Sequence, residues 1–163
     1  MQRPVSMSYQ SLFCYAWDIH EDGVSVVAES LRDRHINAVT LAASYHAGKF
    51  LRPHGKGGKV YFPEDGTAYF HPDPNLYGMV KPQKNSLLKE ADILRECCAR
   101  SDLQTNAWLV LMHNSRIGQL HPDQCVTNAF GDPYIYSLCP CSPHNREYAV
   151  ALCRDVTENY EVD

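Results

Sequence analysis
Apolar runs and amphipathic stretches alternate along this chain. Ser11-Leu-Phe-Cys-Tyr-Ala-Trp-Asp-Ile19 is aromatic and apolar, and His20-Glu21-Asp22-Gly23 closes it. Such a run predicts a buried strand. Val24, Val27, Ala28 and Leu31 then recur at helical spacing between polar residues. They predict an amphipathic helix from Gly23 to His35, with Asp22 as its N-cap. Ile36-Asn-Ala-Val-Thr-Leu-Ala-Ala-Ser44 reads as a second strand. Strand, helix and strand with short joints form a βαβ unit, which implies parallel strands and a right-handed crossover.

The stretch from Tyr45 to about Gln83 is irregular and rich in proline and glycine. Within it, Val60-Tyr-Phe62 and Thr67-Ala-Tyr-Phe70 flank Pro63-Glu-Asp-Gly66, a composition that predicts a hairpin. Asn85 or Ser86 can cap a helix whose apolar face is Leu87, Ala91, Leu94 and Cys98. Ala107-Trp-Leu-Val-Leu-Met112 predicts a third buried strand. After a second long loop, Ser142-Pro143 supplies an N-cap followed by proline at the first helical position. Tyr148, Leu152, Val156 and Tyr160 repeat every fourth residue along that last helix. The expected architecture is α/β, with three βα units in one domain spanning residues 1–163 and a long β-hairpin-containing loop after the second strand.

Composition narrows the function classes. Hydrophobic residues are 44% and charged residues 21% of 163, a globular balance that provides one core. Fifteen basic against 19 acidic residues give a net charge of -4, without the basic footprint of a nucleic-acid binder. No apolar run approaches the roughly 20 residues of a membrane span. Met1 to Gln10 is polar, without a signal-peptide core. Seven cysteines cannot all pair within one chain. Reduced thiols and a cytoplasmic location are therefore expected. Cys14, Cys97, Cys98 and Cys153 read as packing residues.

In parallel α/β architectures, chemistry gathers at the C-terminal ends of strands. Here those ends carry Asp18 and His20, then Tyr45 and His46, then His113, Asn114 and Arg116. Trp17, Tyr69, Tyr134 and Tyr136 lie in or beside the same ends and loops. A carboxylate, imidazoles, an amide and flat rings suit a polyol or sugar ligand. Other signals are weaker. Gly55-Lys-Gly-Gly-Lys59 lacks the strand-to-helix context of a phosphate loop and reads as a turn. Cys125, Cys139, Cys141 and His144 are an alternative set of zinc ligands, although Cys-x-Cys is tighter than the usual gap. No local signature supports Cys14 or Cys139 as a nucleophile.

Several of these motifs also resemble a known family. Tyr15-Ala-Trp-Asp18, Ala42-Ala-Ser-Tyr-His46 and Val60-Tyr-Phe-Pro-Glu-Asp-Gly66 resemble segments of uncharacterised bacterial glycoside-hydrolase-like barrels. Leu138-Cys-Pro140, Arg146-Glu-Tyr148 and the run from Arg154 to Asp163 are similar to the region before the fourth strand of those proteins. The resemblance implies a parallel (βα)3 portion of a TIM-type barrel, its N-terminal part, that binds carbohydrate. A complete barrel takes about 250 residues, and the family's later catalytic carboxylates lie beyond the third helix. A carbohydrate subsite without turnover by this chain alone is therefore the expectation. Asp18 would accept from sugar hydroxyls, His46, His113 and Asn114 would orient the ligand, and Tyr45 or Trp17 would stack. Glu64 and Asp65 read as turn residues. Open strand edges invite pairing, so the expected partners are the remaining barrel half or a second copy.

Overall fold
A computed structural model describes residues 8–163. In chain order the first half comprises β1 (Ser11–Tyr15), α1 (Ala16–Asp22), α2 (Val24–Arg32), β2 (Ala38–Tyr45), β3 (Phe50–Leu51), β4 (Val60–Tyr61), β5 (Thr67–Ala68) and β6 (Gln83–Lys84). The second half comprises α3 (Ile93–Cys98), β7 (Gln104–Leu109), α4 (Ser115–Leu120), β8 (Cys125–Thr127), β9 (Pro133–Leu138) and α5 (Pro143–Asn159). Short 3-10 turns occupy Pro74–Leu76, Ser86–Lys89 and Pro122–Gln124.

The first apolar run is half strand and half helix. Extended backbone ends at Tyr15, and α1 turns Ala16, Trp17 and Ile19 into the core. A run of apolar residues does not by itself distinguish a buried strand from a buried helix. Gly23, at φ +93°, joins α1 to α2, a conformation that glycine adopts without strain. It takes the N-cap position expected of Asp22, with no side-chain cap.

The early end of β1 decides the sheet. β1 pairs in parallel with β2 from Ser11↔Ala38 to Tyr15↔Ala42, and β7 pairs in parallel along the other edge of β2. β2 continues beyond its last partner on the β1 side, leaving backbone groups there that need hydrogen bonds. β5 supplies them in the antiparallel sense, at Ser44↔Ala68 and Tyr45↔Thr67, and the Tyr69 N–H donates to the Ala43 carbonyl at 2.8 Å. β6 then adds in parallel to β5. The expected (βα)3 portion of a TIM-type barrel is therefore not what the chain forms. It is a mixed α/β fold with parallel and antiparallel strands in a small sheet and, among the described residues, five α-helices.

The expected hairpin is also re-partnered. β4 pairs with β3, and β5 with β2, so the two arms flanking the Pro63–Gly66 turn bond elsewhere. The second long loop contains α4 and the β8–β9 hairpin. The helix expected from Asn85 is interrupted: Asn85 caps the 3-10 turn, and Asp92 starts α3 by accepting from the Arg95 N–H at 3.1 Å.

Register places Leu12, Val39 and Thr105 on one face of the three parallel strands, with Cys14, Leu41 and Ala107. That face and the helices enclose the core, where Leu94, Leu152 and Val156 are fully buried. The opposite face carries Phe13, Tyr15, Thr40 and Trp108, with Phe13 edge-on to Trp108 at 5.4 Å. Among the described residues, no helix is long and apolar enough to cross a membrane.

Candidate functional site
The ends of β2 and β7 bring two histidines together. His46 follows β2, His113 follows β7, and their rings stack with centroids 4.3 Å apart and an interplanar angle of 16°. Tyr45 stacks on the other side of His46 at 4.4 Å. Tyr136 lies 5.9 Å from His113 and 5.9 Å from Tyr134, whose ring is within 22° of parallel to it. The two tyrosines alternate along β9, so their side chains share one face of that strand. The result is a continuous row: Tyr45, His46, His113, Tyr136, Tyr134. Tyr45 is buried at one end, whereas Tyr136 and Tyr134 are 51% and 40% exposed at the other.

Backbone contacts hold the row in place. His113 forms a β-bridge with Ser137, and the Asn114 N–H donates to the Tyr136 carbonyl at 3.1 Å. Both polar atoms of the Asn114 side chain have partners. Its Nδ2 donates to the Gly66 carbonyl at 3.1 Å, and its Oδ1 accepts from the Ile117 N–H at 2.9 Å as the N-cap of α4. Asn114 is 4% exposed, so it positions the site and offers no atom to a ligand. Asp65 accepts from the Ala47 N–H at 2.8 Å and fastens the Pro63–Gly66 turn beside His46. Arg116 stands 4.0 Å from Glu64, a loose contact, with 39% of its side chain exposed. Glu64 also accepts from the Ser86 N–H, so both turn acids have structural partners.

His46 Nδ1 lies 2.6 Å from the Ala47 carbonyl oxygen. A carbonyl can only accept, so Nδ1 carries the proton and Nε2 of the neutral ring is an acceptor. Partial burial, and secondarily the neighbouring His46, hold the His113 imidazole below its ordinary value of 6.5, while Asp65 opposes them. The folded chain thus binds this proton more weakly than the unfolded chain. The stability His113 contributes is complete above about pH 6.5 and falls as pH drops through the lower folded value. His46→Gln is expected to move the His113 titration upward in an NMR pH series, because one of the two depressing causes disappears. An unchanged His113 curve would refute the coupling.

The other expected residues lie outside this row. Asp18 is on α1, where its Oδ1 meets Arg52 Nε at 2.8 Å. Partial burial raises its carboxyl above the usual range, and the Arg52 charge only partly offsets that effect. Arg52 also pairs with Glu21 and lies over the Tyr61 ring. His20 Nε2 turns to Glu90 at 3.3 Å. Among the described residues, no hydrogen bond or ion pair joins Asp18 or His20 to the His46–His113 pair.

Trp17, expected to stack on a ligand, is 3% exposed and lies between Tyr15 and Tyr61, 4.5 Å and 5.0 Å away. Both of its faces belong to the core, and its Nε1 has no partner. Arg52 belongs to no motif, since its acidic partners Asp18 and Glu21 lie more than 30 residues earlier in the chain.

The glycine-rich turn does hold an anion, but an internal one. The Lys56 and Gly57 N–H groups both donate to the Glu21 carboxylate.

The alternative zinc set does not assemble. Among the described residues, no group of three or more His, Cys, Asp or Glu could hold a metal ion. Cys125 is buried, its thiol faces the Gly118 and His121 carbonyls, and desolvation raises its pKa. Cys139 lies one residue beyond β9, while Cys141 is exposed. The β8–β9 pairing sets Cys125 opposite Leu138, beside Cys139, whereas His144 lies on α5.

No family model matches the chain, and neither a curated protein nor a solved structure shows significant similarity to it.

Proposed function
We propose that the protein binds carbohydrate along the His46–His113–Tyr136–Tyr134 row. The observation that carries this reading is the continuity of the row from an imidazole acceptor to open tyrosine rings. Exposed aromatic rings meet the apolar faces of sugars, and their hydroxyl rims need fixed donors and acceptors. His46 Nε2 accepts, the tyrosine hydroxyls do both, and the partly exposed Arg116 guanidinium donates at the margin.

The resemblance of the strand-end motifs to glycoside-hydrolase-like proteins supports the same ligand class. Binding without hydrolysis is the favoured form. Hydrolysis needs two carboxylates flanking the bond, and here Asp18 is paired with Arg52 while Glu64 and Asp65 accept from backbone N–H groups. Seven free thiols favour a reducing, cytoplasmic setting.

Calorimetry with a panel of neutral and uronic-acid oligosaccharides tests the proposal. Tyr136→Ala is expected to weaken binding about tenfold, the value of one good aromatic contact. His113→Ala is expected to weaken it as well. Equal binding by the parent and both variants, or no binding to any member of the panel, would sink the proposal.

A further inference from the structure
Among the described residues β1 is an edge strand of the sheet and pairs only with β2. Its sequence, Ser-Leu-Phe-Cys-Tyr, contains no proline and no charged residue. The Gln10 carbonyl accepts from the Ala38 N–H. By alternation along a parallel ladder, Leu12 and Cys14 then turn their backbone groups to β2, and Ser11, Phe13 and Tyr15 turn theirs outward. Phe13 is 65% exposed and Leu12 45%. Beside the strand runs a groove of about 420 Å³ whose apolar lining includes Leu12, Val26, Val27 and Leu31.

Among the described residues, unpaired charges of opposite sign lie toward the two ends of this groove. Asp22 lines one end, together with Asp18, which is paired with Arg52. At the other, Arg34 Nη1 donates to the Ser30 carbonyl and hydroxyl at the close of α2, and exposed His35 follows it. Neither Asp22 nor Arg34 has an ion-pair partner among the described residues. The nine residues of α2 run about 14 Å, and the five of β1 about 16 Å, so the charged ends of the groove match the ends of the strand.

We propose that β1 pairs with the β1 of a second copy of this chain, antiparallel about a two-fold axis at Phe13. Only this register is self-complementary in size as well as in hydrogen bonding. Phe13 meets Phe13 of the second copy, small Ser11 faces large Tyr15, and Leu12 faces Cys14. The outward N–H and C=O groups of Ser11, Phe13 and Tyr15 find partners in mirror order. The same rotation brings Asp22 of each copy to Arg34 of the other, and it keeps the two acidic ends apart. A two-fold contact of this isologous kind closes on itself and leaves no further edge of its type.

Sedimentation velocity over a dilution series of the full chain tests the pairing. The parent is expected to run as a dimer that dissociates on dilution. Phe13→Lys places two like charges at the axis and is expected to give a monomer with unchanged circular dichroism. Asp22→Arg, on an exposed helix-end position, is expected to raise the dimer Kd about tenfold, since two exposed pairs become repulsive. Adding Arg34→Asp to Asp22→Arg is expected to restore the dimer. A parent that stays monomeric throughout the series, a dimer that either single variant leaves intact, or a double variant that fails to recover would overturn the proposal.

Discussion
Asp155→Ala is expected to lower the free energy of unfolding by about 3 kcal/mol, read from the denaturant midpoint at constant m. Asp155 is completely buried on α5. Its Oδ2 accepts from the Tyr77 hydroxyl at 2.7 Å and from the Asp73 N–H at 2.9 Å, and its Oδ1 accepts from Asn159 Nδ2 at 2.8 Å. Burial and this carboxylate push the Tyr77 hydroxyl far above its ordinary 10, so it remains a donor. Alanine would strand two of these donors in the interior and leave a cavity. Asp155→Asn keeps the volume and one acceptor, and is expected to cost only about 1 kcal/mol. An alanine variant within 1 kcal/mol of the parent would show that the Pro72–Tyr77 segment does not depend on this anchor.

Gly118→Ala is expected to cost about 3 kcal/mol or more and to remove carbohydrate binding with it. Alanine in a helix interior ordinarily gains about 1 kcal/mol over glycine, so propensity predicts the opposite sign. Here a Cβ would enter the Ile135 carbonyl group and crowd Cys125 Sγ. Both obstacles belong to the β8–β9 hairpin, and a backbone carbonyl cannot rotate away as a side chain can. α4 would have to lift from β9, and that seam sets the Asn114–Tyr136 bond and the His113–Ser137 bridge. Unfolding curves and calorimetry together check this. Parent-like stability would mean that the helix and hairpin are not in rigid contact.

Much of the candidate site was legible because its residues sit immediately after apolar strands. Tyr45, His46 and His113 needed only the ends of two runs to be recognised. The structural use of Asn114 was not legible, because an amide at a strand end reads equally as a ligand contact or as a helix cap. The short α4 it caps has too little periodicity to announce itself. Trp17 was misplaced for a different reason: its aromatic character suits a sugar platform or a core, and only the positions of Tyr15 and Tyr61 choose between them. The pairing of Asp18 and Glu21 with Arg52 depends on where a long loop returns, which no local pattern encodes.

Local chemistry in the sequence determined strands at β1, β2 and β7, the start of α5 at Ser142–Pro143, and the buried stripe of Tyr148, Leu152, Val156 and Tyr160. These follow from hydrophobic period and cap geometry, which act over a few residues. Tertiary structure alone decided that β1 stops at Tyr15, that β5 completes β2 in the antiparallel sense, and that His46 and His113 meet face to face. Those outcomes satisfy backbone groups and ring faces brought together from 20 to nearly 70 positions apart, and the balance among such distant partners is set only when the whole core forms.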